Sequence, residues 1–158
     1  MQHLRSLLDP ARVRCHLPAA SRKRALELIA ELLCDDTISA DDLFDALMAR
    51  ERLGSTALGK GVAVPHCRIA AQTMRAAMVS LPAPIDFEAG DSEPVDLLFV
   101  LVVPEGEQKA HLEALSNLAQ VFDQPTNRAR LRACHDHAEL FAIFCQQMDA
   151  GVGQSVST

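Results

Sequence analysis

Two histidines and an arginine carry the chemistry that this sequence offers. His66 stands near the end of the run from Gly54 to Arg68, GSTALGKGVAVPHCR, a glycine-rich loop feeding a short apolar segment. Pro65 fixes its own φ and has no N–H for a sheet ladder, so Val-Pro-His reads as a strand end. A histidine held there, beside small residues, suits chemistry better than packing. An imidazole carries a phosphoryl group when one neutral ring nitrogen faces outward as nucleophile and the other donates a hydrogen bond that sets the tautomer. Such a transfer also needs donors and positive charge around the moving oxygens. Glycine-rich backbone can approach a phosphate closely. Arg50, in the last turn of the preceding helix, offers a forked donor. His111 sits in the first turn of a helix, in line with Leu115, Leu118 and Phe122, where the helix dipole favours an anion.

The same loop nearly spells a nucleotide-binding motif. Gly54-x-x-x-x-Gly59-Lys60 matches a P-loop through its lysine, but the next residue is Gly61 where magnesium needs Ser or Thr. A P-loop follows a strand and opens a helix, whereas this loop follows a helix and feeds a strand. The nucleotide reading is therefore set aside. Taken singly, the three candidates have structural readings too: a strand histidine at 66, a helix-surface histidine at 111, and at Arg50 a solvated helix end matching the dipole. Cys134-His135-Asp136-His137 invites a zinc proposal, but no complementary ligand pair occurs elsewhere, so no metal is expected. Arg22-Lys23-Arg24 reads as a solvated face or as part of a surface for an acidic partner.

The elements that must position these residues follow from the pattern. With 158 residues, of which 49% are apolar, the chain can bury one self-sufficient core. A net charge of −6 gives no electrostatic reason to bind nucleic acid or an anionic membrane. The longest apolar run, Leu97 to Val103, is too short to cross a bilayer, and Asp9, Pro10 and Arg12 interrupt any signal peptide. Five irregularly spaced cysteines read as reduced thiols, so a cytoplasmic protein is expected. Alternating helical and strand periods indicate an α/β fold. Strands are predicted at Val13–Leu17, Val62–Val64 and Ala76–Leu81, with Pro82 and Pro84 turning the chain, and Val95–Val103 reads as a central strand covered on both faces. Ser21 and the Ser39/Asp42 pair cap two helices, the second ending near Arg52 with Gly54 just beyond. Gln108–Phe122 is a third helix. Asp136 with Glu139 caps a last one ending near Met148, so residues 1–148 read as the domain and 149–158 as a disordered tail.

The run Arg50-Glu51-x-x-Gly54-Ser55-Thr56-x-x-Gly59-x-Gly61-Val62-Ala63-Val64-Pro65-His66 resembles the signature of phosphotransferase-system (PTS) IIA proteins of the mannitol/fructose class, in particular the nitrogen-regulatory enzyme IIA branch. Pro94 to Phe99, Val103-Pro104, His111-Leu112 and Ser21 to Glu27 also match, and the resemblance spans about residues 4 to 148. It implies a mixed β-sheet flanked by helices on both sides. It implies that His66 is the phosphorylated nucleophile, that His111 hydrogen-bonds the phosphoryl group, and that Arg50 stabilises it. It further implies a phosphotransferase component with no cofactor or metal, charged by a histidine phosphocarrier protein of the HPr/NPr type, whose phosphorylation state regulates partner proteins. The resemblance equally admits a sugar-specific IIA that passes phosphate to a IIB domain, or a non-phosphorylated binding module of the same fold. Three positions depart from the pattern: Ala57 and Cys67 where glycine is usual, and Lys60 where a small polar residue is common. A glycine required for positive φ at 57 or 67 would leave local strain here, and Cys67 raises the question of redox interference.

Overall fold

A computed structural model describes residues 7–70, 73–91 and 93–156. In chain order the elements are β1 (Leu8–Arg14), α1 (Arg22–Leu33), α2 (Ala40–Arg52), β2 (Ala57–Gly59), β3 (Val62–Ala63), β4 (His66–Ile69), β5 (Arg75–Ile85), β6 (Val95–Pro104), α3 (Gln108–Asp123), α4 (Pro125–Arg132) and α5 (His137–Val156). The sheet order is β1-β5-β6-β3-β2, with β4 also pairing β6. β6 runs antiparallel to β5 but parallel to β3 and β4, and β1 is parallel to β5, so the sheet is mixed.

Every residue of β6 except Asp96 is buried, as its unbroken apolar run requires of a strand covered twice. Its alternate residues feed two cores. Leu97, Phe99, Leu101 and Val103 pack with Leu118, Phe122, Leu131, Leu140 and Phe144 of α3, α4 and α5. Leu98, Val100 and Val102 pack with Leu26, Ile29, Leu33, Leu43 and Leu47 of α1 and α2. Each fully buried large side chain contributes about 1.5–3 kcal/mol. The helices therefore flank both faces of the sheet, as expected.

The predicted caps hold: Ser21 Oγ accepts from the Arg24 N–H and Ser39 Oγ from the Asp42 N–H, each at 3.1 Å, and Asp136 accepts from the Glu139 N–H at 2.7 Å. Several boundaries differ. β1 lies at Leu8–Arg14 rather than Val13–Leu17, because His16 turns to φ +56° and ends it. β5 does not stop before Pro82; its register against β6 shifts between Ser80 and Ile85, and an irregular stretch needs no ladder N–H from proline. α4 has only Leu131 as a buried apolar residue, too little to give a periodic stripe, though Pro125 at its first turn marks its start. α5 continues to Val156, past the Met148 at which the apolar pattern stops. Helical backbone thus extends into the segment read as tail, while residues 157–158 lie outside the described residues.

Candidate functional site

Pro65 interrupts the sheet without ending it. β3 and β4 are successive parallel partners of β6, bridged by the Leu101 N–H donating to the Pro65 carbonyl at 3.0 Å. His66 therefore begins a strand, where the sequence suggested that one ended. Side chains alternate along β4: Cys67 and Ile69 enter the core under α1 and α2, which puts His66 and Arg68 on the α3 face.

His66 Nδ1 lies 2.8 Å from the Val64 carbonyl oxygen. A carbonyl can only accept, so Nδ1 carries the hydrogen and Nε2 is left with its lone pair. Opposite it, His111 projects from the first turn of α3, its ring centroid 4.9 Å from that of His66 and inclined by 64°. His111 is only 5% exposed, and neither of its ring nitrogens has a hydrogen-bond partner. Burial holds its pKa down to about 4, helped by the charges of His66, Arg68 and Arg50. Burial likewise lowers that of His66, which the Val64 bond partly offsets and the Arg50 and Arg68 charges reinforce. Both imidazoles are thus neutral at pH 7 in a field made positive by two arginines, an arrangement suited to a nucleophile receiving an anionic group. Arg50 Nη1 also donates to the Gly54 carbonyl at 2.9 Å, which ties the end of α2 to the loop.

The structure thus brings His66 and His111 together, with Arg50 close enough to act on both. Two further residues, Arg68 and Glu51, belong to the neighbourhood and carried no role in the sequence reading. Arg68 shares the face and field of His66. Glu51, 3% exposed, accepts from the Thr56 hydroxyl and, at 3.4 Å, from the Thr56 N–H, and Arg22 Nη1 lies 3.7 Å from its carboxylate. Arg22, read from the sequence as part of a solvated face or of a surface for an acidic partner, is thereby turned towards Glu51. The Arg50-Glu51 pair in the motif was the one available signal for Glu51.

The lysine of the near P-loop is elsewhere. Lys60 and Gly61 form the two-residue turn of the β2–β3 hairpin, with φ of +59° and +83°. Positive φ at both central positions is what a type I′ turn requires, so Gly61 stands where Ser or Thr would fit poorly. Val62 is level with Leu97 and His66 with Leu101, a separation of about 13 Å along the sheet. Lys60 lies beyond Val62 and adds no charge at His66. Arg132 of α4 secures the turn, donating to the Lys60 carbonyl at 2.7 Å and to Asp96 at 2.9 and 3.1 Å.

Neither Ala57 nor Cys67 has a positive φ, so no strain follows from the absent glycines. Burial pushes the Cys67 thiol up to about 12, and it faces away from His66. In the 134–137 segment His137 Nδ1 accepts from the Cys15 N–H at 2.8 Å, a structural tie between α5 and β1. No group of three potential metal ligands occurs among the described residues.

A family model for the "Phosphoenolpyruvate-dependent sugar phosphotransferase system, EIIA 2" matches residues 6–147. A nitrogen regulatory protein of Pseudomonas aeruginosa is 43% identical over 146 residues, covering 90% of this chain and 95% of the relative. The crystal structure of nitrogen regulatory protein IIA-Ntr from Neisseria meningitidis aligns with a TM-score of 0.85 at 38% identity, over 89% of this chain and 97% of that one. IIA mannitol from Escherichia coli shares the fold with a TM-score of 0.67 at 20% identity, over 81% of this chain and 92% of that one. With nitrogen regulatory proteins among its relatives, the chain belongs to the phosphoenolpyruvate-dependent sugar phosphotransferase system EIIA 2 family.

Proposed function

We propose that His66 accepts a phosphoryl group from the phosphohistidine of a histidine phosphocarrier protein, and that its phosphorylation state regulates partner proteins. The observation that carries this reading is the His66 ring itself: Nδ1–H is committed to the Val64 carbonyl, which leaves Nε2 as nucleophile opposite His111. In the transfer the Nε2 lone pair forms the new P–N bond. The donor's P–N bond breaks, and its electron pair returns to the donor imidazole. Positive charge grows on the His66 ring, where the Val64 carbonyl dipole stabilises it. His111 supplies a neutral N–H donor to the phosphoryl oxygens, and Arg50 and Arg68 balance their charge. No metal or nucleotide takes part.

Leu53, 84% exposed, follows α2 beside Arg50, and Leu112, 65% exposed, follows His111. Two large apolar side chains in solvent next to the site residues suit a protein donor. The regulatory output rests on the named relatives, and on physical grounds a phosphate adds about two negative charges and three acceptors to this rim. Among the described residues no helix is long and apolar enough to cross a membrane.

The test is incubation with phosphoenolpyruvate, enzyme I and the phosphocarrier, followed by intact-mass analysis. One acid-labile phosphate is expected, lost in His66→Ala and slowed in His111→Ala. Undiminished labelling of His66→Ala would refute the assignment. Discharge of the phosphate to a sugar-specific IIB domain would favour the sugar-transport role that the family description names.

A further inference from the structure

Glu51 is chemically out of place. It sits in the last turn of α2, where the helix dipole disfavours an acid, and its side chain is fully buried. A buried carboxylate at a helix C-terminus opposes local stability, and such local conflicts concentrate where function demands them. Its bonds show where it acts. Both carboxylate oxygens hold one residue, Thr56, through the hydroxyl and the backbone N–H. The Thr56 carbonyl then accepts from the Val64 N–H at 3.1 Å, and the Val64 carbonyl accepts from His66 Nδ1 at 2.8 Å. Arg22 backs the carboxylate at 3.7 Å and lies 5.8 Å from the centroid of the Phe87 ring, while Ser55 donates to the Phe87 carbonyl at 2.8 Å. The loop between α2 and β2 is thus pinned at adjacent residues, and the pinned loop holds the peptide that orients the imidazole.

We propose that Glu51 is a positioning residue for His66, acting through Thr56 and the Val64 carbonyl to hold the Nδ1–H tautomer that exposes Nε2. This rests on the phosphoacceptor reading of His66. Free imidazole side chains interchange tautomers readily, so without the pinned carbonyl the lone pair is shared between the two nitrogens and the nucleophile loses its fixed direction. Misplacement of a reacting group by about 1 Å can cost about a hundredfold in rate.

The experiment combines nitrogen-15 NMR of the His66 ring in the unphosphorylated protein with single-turnover phosphorylation by the charged phosphocarrier. The parent should show Nδ1–H. Thr56→Val removes the hydroxyl at nearly constant shape; it should give mixed His66 tautomers and phosphorylation slowed about ten- to hundredfold. Thr56→Ser, which restores the hydroxyl, should return both readouts to the parental values. Glu51→Ala should behave like Thr56→Val, and Glu51→Gln, which can still bond Thr56, should retain the tautomer. If Glu51→Ala does not fold, the Thr56 pair decides. A folded Thr56→Val protein with parental tautomer and a rate within about twofold of the parent would overturn the proposal. Because the tautomer is read without phosphate, a parent that takes no phosphate refutes the phosphoacceptor reading while the NMR arm still judges the relay.

Discussion

Replacing His111 with leucine should make folding stability less sensitive to acid while slowing phosphoryl acceptance. In the folded protein burial holds the His111 pKa at about 4, against an ordinary value of 6.5. Between these values the unfolded chain binds the proton that the folded chain refuses, so stability is full above pH 6.5 and is lost as pH falls. From pH 7.5 to pH 5 that loss is about 2 kcal/mol for this one group. In a protein of this size it corresponds to about 4–8 °C in Tm. Leucine removes the group, and with it two buried, unpartnered nitrogens whose desolvation costs about 1–3 kcal/mol. The variant should therefore equal or exceed the parent in stability at pH 7.5 and fall by less on acidification. Burial lowers the pKa of His66 and raises that of Glu51, and both remain in the variant, so the difference between the two proteins reports His111 together with its interaction with His66. Chemical and thermal unfolding at half-unit steps from pH 5 to 7.5 measures it. An equal loss of stability in parent and variant across that window would refute the reasoning. The companion readout is phosphorylation, where loss of one preorganised donor should cost about 10²-fold.

Three other outcomes follow from the same geometry. Gly61→Ala should destabilise the protein by about 1–3 kcal/mol in denaturant titration, because φ is +83° and the new Cβ would crowd the Arg132 guanidinium and lie 3.2 Å from Asp96. Thiol-directed reagents at pH 7.5 should modify half-buried Cys34 well before Cys67, whose thiol is buried and pushed up to about 12; peptide mapping that found Cys67 reacting first would contradict this placement. Leu53→Asp and Leu112→Asp should each lower kcat/KM with the protein phosphocarrier by about tenfold and leave acceptance from a small donor such as phosphoramidate unchanged, since only a protein donor covers these side chains.

Features set by neighbours in sequence were legible in advance. The serine caps of α1 and α2 and the double burial of β6 each depend on a handful of consecutive residues. Features set by pairing were not. β4 was invisible because His66-Cys67-Arg68-Ile69 has a charge and an imidazole on one face, and its strand geometry comes from lying along β6. The segment around Lys60-Gly61 was read as glycine-rich loop beside the histidine, and its being a hairpin turn at the far end of β3 depends on the pairing of β2 with β3. Pro82 and Pro84 suggested a turn, yet an irregular stretch of ladder tolerates them.

The same division separates the two histidines. The run from Arg50 to His66, with Gly61 in place of Ser or Thr, was enough by itself to favour histidine chemistry over nucleotide binding, because a loop's backbone and its neighbouring side chains are determined over short separations. What faces His66 was decided only in three dimensions. The α3 helix follows β6 and packs on the face to which β4 directs its even-numbered side chains, so His111 arrives within 4.9 Å across the core. The protonation pattern divides the same way: the Val64 carbonyl, two residues before His66, assigns the hydrogen to Nδ1 locally, whereas the burial between sheet and helix that keeps both rings neutral is tertiary.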